Sequence, residues 1–553
     1  MDDNANARGA GAEAGDGPNA AFLAARPANF QPITPLGQLA RAAATYPARA
    51  ALAYGADTTD YATLYARARR LASAVAAAGV ARGEVVSALL FNTPPLVEAH
   101  FGVPMAGAVL NAINTRLSAD EIAYILDHGP ARLVLVDAAL SPLLDAALAR
   151  MAGPRPTVIE YADPVEGLSP TGIGPDYEAF LAGGDPTYAW TGPADEWDAI
   201  TLNYTSGTTG RPKGVLYHHR GAALLAEGNL THARLAAPPV YLWTLPMFHC
   251  NGWCFPWSVV LAGGLQVCLR QVRADAIWDA IARHRVTLMC GAPVVMATVL
   301  ERRPAAPPTW TVHFWTAAAP PSETILAEMA EAGFAVTHVY GLTEVYGPAV
   351  ICDWHPEWSA LPVAEQARLK ARQGVRYAAL EALAVLDPAT LAPVPADGQT
   401  LGEVMMRGNV VMKGYHRDPE ATARAFEGGW FRTGDLAVMH ADGYLQLRDR
   451  AKDIIISGGE NVSSIEVENA LMTHPAVALA AVVGAPHPRW GETPVAFVEL
   501  RPGMSADEAA LIDHVRGLLA RFKAPSRVIE ATLPRTSTGK IQKTVLRDGL
   551  DED

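Results

Sequence analysis

The chain has 553 residues, half of them hydrophobic, and carries 44 basic against 57 acidic side chains for a net charge of -13. That length holds several domain-sized cores without disulfides or structural metal, and the acidic balance argues against a general nucleic-acid binder. Five cysteines, at 250, 254, 268, 290 and 352, form no Cys-x-x-Cys pair and sit in largely apolar stretches, which predicts reduced thiols and a cytoplasmic protein.

Residues 1–29 are rich in Ala, Gly, Asn and Asp and lack the basic start and apolar run of a signal peptide or anchor, so they read as a disordered leader. Alanine-rich amphipathic helices are expected over 36–46 and 61–78, the second stopped by Gly79. A strand over 85–91, a helix opened by Pro94-Pro95 and a strand over 131–137 come next. Further strands are expected at 199–204, 240–245, 265–269, 286–290, 311–316 and 335–340, with helical segments between most of them. This alternation is that of α/β layers with strands buried on both faces. Apolar runs are interrupted before membrane-spanning length, so no stable membrane insertion is expected.

Residues 359–372 read as a mostly polar helix with Leu361, Val363 and Leu369 on its apolar side. After Arg448 the pattern changes to a strand at 454–456, a turn at Ser457-Gly458-Gly459, a helix over 464–474, strands over 478–484 and 494–500, and a helix over 505–522. The expected fold is thus α/β: a large layered domain of mixed sheets and helices over 30–449 and a small mobile α+β domain over 450–553. The charged stretch 449–453 suits an exposed hinge.

The strand expected at 199–204 leads into Tyr204-Thr205-Ser206-Gly207-Thr208-Thr209-Gly210-Arg211-Pro212-Lys213-Gly214. The glycines of this run allow tight turning and close approach, and its hydroxyls and ammonium offer the donors that an oligophosphate needs. It is not the common P-loop, because Pro212 precedes Lys213 and Gly214 comes after it. A Gly/Thr turn without function is the bland alternative. Tyr340-Gly341-Leu342-Thr343-Glu344 supplies an aromatic for a base, a hydroxyl for a phosphate oxygen and a carboxylate for Mg²⁺. Two further stretches, Trp430-Phe431-Arg432-Thr433-Gly434-Asp435 and Leu533-Pro534-Arg535-Thr536-Ser537-Thr538-Gly539-Lys540, would alone pass as a loop aspartate and a surface lysine.

Together, in this order, the four stretches resemble the signature motifs of the adenylate-forming superfamily, and the resemblance runs from about residue 36 to 545. It implies ATP, Mg²⁺ and coenzyme A as partners of a small-molecule carboxylic acid: acyl-AMP and pyrophosphate form first, then a thiol takes the acyl group and expels AMP. The resemblance assigns the nucleotide to Thr205, Ser206, Gly207, Thr208, Thr209, Gly210, Lys213, Ala318, Ala319, Pro320, Tyr340, Gly341, Thr343, Asp435 and Arg450, with Asp435 on the ribose diol. It gives the metal to Thr205 and Glu344, and catalysis to Lys540, His249, Thr343 and Glu344. Lys540 stabilises charge gathering on phosphate oxygens. Lys543 lies close enough to be mistaken for it. Lys452 takes the hinge position, and Ser457, Gly458, Gly459 and Trp490 the coenzyme A contacts, with Lys523 a further phosphate contact or none.

Only 13 residues follow Lys540, which leaves no room for a carrier module, so free coenzyme A is the expected acceptor. Delivery to a separate carrier protein is the alternative within enzymes, and a catalytically retired binding scaffold the alternative outside them. Self-association as a homodimer is left open. The aromatic stretch 245–257 is the candidate wall of the acyl pocket or simply core. It resembles the subgroup containing medium-chain fatty acyl-CoA synthetases and 3-methylmercaptopropionyl-CoA ligases, which implies that His249 and Trp253 border the acid opposite Ala317 and Ala318. Alanines where glycines are common narrow that space, so a short- to medium-chain acid is expected.

Overall fold

The computed structural model describes residues 25–205, 211–317, 323–450, 453–457, 460–487, 490–536 and 541–550. Two large sheets form the bulk of the fold. One has nine strands in the order Val375–Arg376, Gly347–Ile351, Phe334–Leu342, Val312–Thr316, Leu288–Gly291, Val240–Leu242, Leu265–Val267, Ala50–Tyr54, Asp57–Asp60. From Phe334–Leu342 to Ala50–Tyr54 its strands run parallel, and antiparallel strands close both edges. The other has seven, in the order Gly414–Tyr415, Gly214–His218, Ala199–Tyr204, Val109–Ala112, Val85–Leu89, Ala131–Asp137, Thr157–Tyr161.

Helix Pro94–Met105 is buried from Pro95 to Met105. A helix buried on every side belongs inside a core, and the main cluster of buried side chains draws on this helix and on both sheets. Local signals set the helix starts. Asp60 accepts from Thr63 N to cap Tyr61–Ala77, and Ser118 with Glu121 forms a reciprocal capping box on Ala119–His128. All five cysteines are buried and unpaired. Among the described residues no helix is long and apolar enough to cross a membrane.

A third, antiparallel sheet joins Ala382–Leu386, Gly402–Arg407, Phe431–Met439 and Leu445–Arg450. Beyond it the chain builds a separate sheet from Glu460–Val462, Ile455–Ser457, Gly491–Leu500 and Val477–His487, with Arg527–Glu530 beside Gly491–Leu500. Val467, Leu471, Leu511 and Val515 of two helices pack on it. Asp449, ending the third sheet, accepts from both the backbone N–H and the hydroxyl of Ser464 and so ties that sheet to the start of helix Ser464–Met472.

Several sequence-based boundaries are corrected. The helix expected over 359–372 is a 3₁₀ turn, Pro356–Ala360, followed by helix Val363–Lys370, because Pro362 is extended between them. The helix expected over 505–522 spans Glu508–Leu518, begun by the Asp507 cap and ended where Leu519 becomes extended. Val240–Leu242 stops short of 245, whereas Val477–His487 and Gly491–Leu500 exceed their expected lengths. The largest omission is Gly214–His218, which returns antiparallel to Ala199–Tyr204, so the glycine-rich loop closes a hairpin.

Candidate active site

The glycine-rich stretch connects two strands whose last pair is Tyr204 with Gly214. Thr205 N donates to Lys213 O at 3.0 Å and Lys213 N to Thr205 Oγ1 at 3.4 Å, which pins both ends of the loop. Ser206, Gly207, Thr208, Thr209 and Gly210 lie outside the described residues, as do Ala318, Ala319, Pro320, Lys452, Gly458, Gly459 and Lys540.

Tyr340 and Gly341 lie near the end of strand Phe334–Leu342, where its pairing with Gly347–Ile351 slips. A Cβ on Gly341 would fall 1.7 Å from the Gly347 carbonyl oxygen, so only glycine permits this approach. Thr343 and Glu344 begin the 3₁₀ turn after that strand. The Tyr217 hydroxyl donates to Thr343 O at 2.7 Å. The Tyr340–Glu344 run thereby meets the hairpin sheet.

The same run meets the third sheet. The buried Tyr340 hydroxyl donates to Asp435 Oδ2 at 2.8 Å, and Arg450 Nε lies 3.0 Å from Asp435 Oδ1. Asp435 and Arg450 are direct partners across neighbouring strands. Burial pulls the Arg450 pKa down, but Asp435 together with Tyr340, Asp453 and Glu344 offsets this and leaves it raised. Each Asp435 oxygen keeps a further lone-pair direction for a ligand hydroxyl.

Glu344 is partly buried, and desolvation raises its carboxyl pKa while hydrogen bonds from its own backbone and from the Tyr415 hydroxyl oppose the rise. Tyr415 OH lies 2.9 Å from Glu344 Oε1, and the Lys213 ammonium lies 4.8 Å from the centroid of the Tyr415 ring. Tyr415 was not evident from sequence: Lys413-Gly414-Tyr415 carries no chemical signature, and 71 residues separate it from Glu344. A partly desolvated carboxylate near the glycine-rich stretch has the chemistry of a Mg²⁺ ligand, since Mg²⁺ takes one or two carboxylates alongside substrate phosphates. No cluster of three or more His, Cys, Asp or Glu suited to a metal occurs among the described residues.

The aromatic stretch 245–257 has an unusual backbone. Cys250, Asn251, Gly252, Trp253 and Cys254 have φ of 43°, 46°, 57°, 53° and 62°, a left-handed turn with one glycine in five. Such a conformation costs an L-residue ~1–2 kcal/mol, so its surroundings must hold it. Asn229 Nδ2 donates to Trp253 O at 2.8 Å, and Asn251 Nδ2 lies 3.1 Å from His100 Nε2. Cys250 Sγ lies 3.6 Å from Thr343 Oγ1, and burial pushes its thiol up to about 12, which makes it an inert filler rather than a nucleophile.

His249 is partly exposed at the head of this turn, with Nε2 3.8 Å from Cys250 Sγ. Trp253 is buried, and a Cβ on Gly347 would meet its ring at 3.0 Å, so the indole lies against the chain just past Glu344. Ala317 follows strand Val312–Thr316, at the carboxyl edge of the parallel sheet, where ligands of open α/β sheets bind. Two cavities, of about 230 and 210 Å³, border Trp257 and His219 and touch none of these residues.

In the C-terminal unit Ser457 pairs with Gly491, which sets the exposed Trp490 beside the 455–462 hairpin, its ring stacked toward His487. Lys523, for which the resemblance leaves a phosphate contact open, is paired with Glu466 at 2.7 Å. Lys543 is buried against Glu468 at 2.6 Å and also donates to Ser464. Its charge is thus paired within the C-terminal unit.

Residues 39–416 match the model of the AMP-binding enzyme family, and residues 466–540 that of the AMP-binding enzyme C-terminal domain. An acetate/butyrate–CoA ligase of Arabidopsis thaliana, described as peroxisomal, is 47% identical over 95% of this chain and 96% of its own. A 2-methylpropanoate–CoA ligase of Humulus lupulus is 46% identical, again over 95% and 96% of the two chains. Among solved structures, the o-succinylbenzoate CoA synthetase of Bacillus subtilis with its acyl-adenylate is 28% identical, with a TM-score of 0.79 over 94% of this chain and 98% of that one. From the residues matched and the extent of these likenesses, the chain belongs to the AMP-binding enzyme family.

Proposed function

We propose that the protein is an AMP-forming carboxylate–CoA ligase acting on a short- to medium-chain acid. The observation that carries this is the double engagement of one five-residue run: Tyr340 joins it to Asp435 and Arg450, and Glu344 joins it to Tyr415 beside Lys213. The first group suits a ribose and its base, the second an oligophosphate. In this reading the α-phosphate sits between them, on the side of Thr343 that meets the turn carrying His249 and Trp253.

In this proposal Asp435 accepts the ribose hydroxyls while Arg450 holds its carboxylate in place. Lys213, Thr205, Ser206, Thr208 and Thr209 grip the β- and γ-phosphates, and Glu344 with Thr205 holds Mg²⁺. The ion would neutralise phosphate oxygens as pyrophosphate leaves. Thr343 and Lys540 contact the α-phosphate, and Lys540 orients the attacking carboxylate, which converts an oxide leaving group into AMP. The unit 450–553 then turns about Lys452 and presents Ser457, Gly458, Gly459 and Trp490 to coenzyme A.

Support for a small acid comes from the buried Trp253 indole and from the substrates in the relatives' names, acetate, butyrate and 2-methylpropanoate. A trans-cinnamate:CoA ligase of Petunia hybrida is also 44% identical, so overall likeness alone does not choose the acid. Buried, unpaired cysteines favour a reducing compartment such as the cytoplasm. The test is a panel of acetate, butyrate, 2-methylpropanoate, octanoate, palmitate and cinnamate assayed for CoA-dependent AMP release. Preference among the first three or octanoate supports the proposal, and preference for palmitate or cinnamate sinks the acid assignment.

A further inference from the structure

The proposed reaction uses Glu344 and Lys213 but does not explain what sets their relative position before a nucleotide arrives. They belong to different sheets: Glu344 follows Phe334–Leu342 of the nine-stranded sheet, and Lys213 precedes Gly214–His218 of the seven-stranded one. Strand Gly414–Tyr415 touches both. Tyr415 pairs with Val215 and His416 N donates to Gly214 O, which fastens this segment to the end of the glycine-rich loop. Met412 N donates to Glu344 O at 2.8 Å, which fastens it to the turn carrying the carboxylate.

The Tyr415 side chain closes the link. Its hydroxyl donates to Glu344 Oε1 at 2.9 Å, and its ring lies under the Lys213 ammonium at 4.8 Å. The tyrosine is itself fixed, since its backbone N–H donates to Thr422 Oγ1 at 3.0 Å. One aromatic residue thus holds the anion through its edge and the cation through its face. A hydrogen bond to one carboxylate oxygen fixes the rotamer and leaves the other oxygen to define a direction for a hard cation.

We propose that Tyr415 is a positioning residue, one that sets the Glu344 carboxylate for Mg²⁺ and the Lys213 ammonium for phosphate at a fixed mutual distance. It rests on the reading of Glu344 as the metal-binding carboxylate, and it adds a residue that makes no assigned contact with substrate. The alternative is that Tyr415 only fills space and satisfies a half-buried carboxylate, in which case its loss lowers stability but not the response to Mg²⁺.

The experiment is ATP-dependent thermal stabilisation of the full chain, titrated with MgCl₂ from an EDTA baseline, for wild type, Tyr415→Phe, Tyr415→Leu and Glu344→Gln. Losing one charge-assisted hydrogen bond predicts that Tyr415→Phe needs roughly tenfold more Mg²⁺ for half of the effect, with the EDTA baseline unchanged because the ring still faces Lys213. Tyr415→Leu shows the same Mg²⁺ shift and in addition binds ATP about threefold more weakly in EDTA. Glu344→Gln abolishes the Mg²⁺ response. If Glu344→Gln responds as wild type does, the metal reading falls and this inference with it. If Glu344→Gln loses the response while Tyr415→Phe keeps a wild-type midpoint, the positioning role of Tyr415 alone is overturned. Should the phenylalanine variant fail to fold, the leucine variant carries the same Mg²⁺ comparison.

Discussion

The side-chain amide of Asn251 donates to Nε2 of the buried His100, 3.1 Å away. The other ring nitrogen of His100 lies 2.6 Å from Leu96 O, so it carries the proton and leaves Nε2 as the acceptor. Asn251 sits in the middle of the left-handed turn 250–254, and this bond, with those from Asn229 to Trp253 O and from Ser258 to Cys254 O, offsets its conformational cost. Replacing His100 by Phe strands the Asn251 amide, at a cost of ~1–3 kcal/mol. The turn should loosen and the KM for the acid should rise several-fold, with the KM for ATP little changed. Equal rises in both would show that the turn does not serve the acyl site in particular.

The two C-terminal lysines should separate cleanly. Lys543→Met leaves Glu468 largely buried without its partner, so stability should fall by ~3–5 kcal/mol, read from chemical denaturation. Lys540→Ala should leave stability unchanged, abolish most acid-dependent ATP–pyrophosphate exchange and spare thioester formation from supplied acyl-AMP. Loss of exchange in a fully folded Lys543→Met protein would reverse the assignment.

Acid should unfold the protein through its buried histidines. Desolvation lowers His100, His219 and His338 to about 4 and His218 to about 3. Since their unfolded value is about 6.5, the unfolded chain takes up these protons first as pH falls. Their contribution is therefore complete above pH ~6.5 and is lost between there and pH ~4, or ~3 for His218, at up to ~1.4 kcal/mol per histidine per pH unit. Urea midpoints should hold from pH 7.5 to about 6.5 and fall steadily from there to pH 5, and a profile flat throughout would contradict the buried neutral assignment.

What the sequence made legible was local. Tyr340 to Glu344, Asp435 and the glycine-rich loop are short runs recognisable by their order along the chain, and the structure places Tyr340 against Asp435 and Glu344 against Tyr415. What it concealed was long-range or conformational. Tyr415 reaches Glu344 across 71 residues and Asn251 reaches His100 across 151, distances at which periodicity carries no information. The positive φ run at Cys250–Cys254 holds a single glycine, so no turn signal marks it. The hairpin was missed because Gly214–His218 is a short strand placed straight after a glycine-rich loop, where a phosphate loop ordinarily leads into a helix.

The most direct measurement is product analysis with purified protein, MgATP, butyrate and coenzyme A. Butyryl-CoA, AMP and pyrophosphate are expected in equal amounts, with turnover dependent on both the acid and coenzyme A, and pyrophosphate exchange dependent on the acid alone. Formation of ADP, or of AMP without a thioester when coenzyme A is saturating, would contradict an AMP-forming ligase.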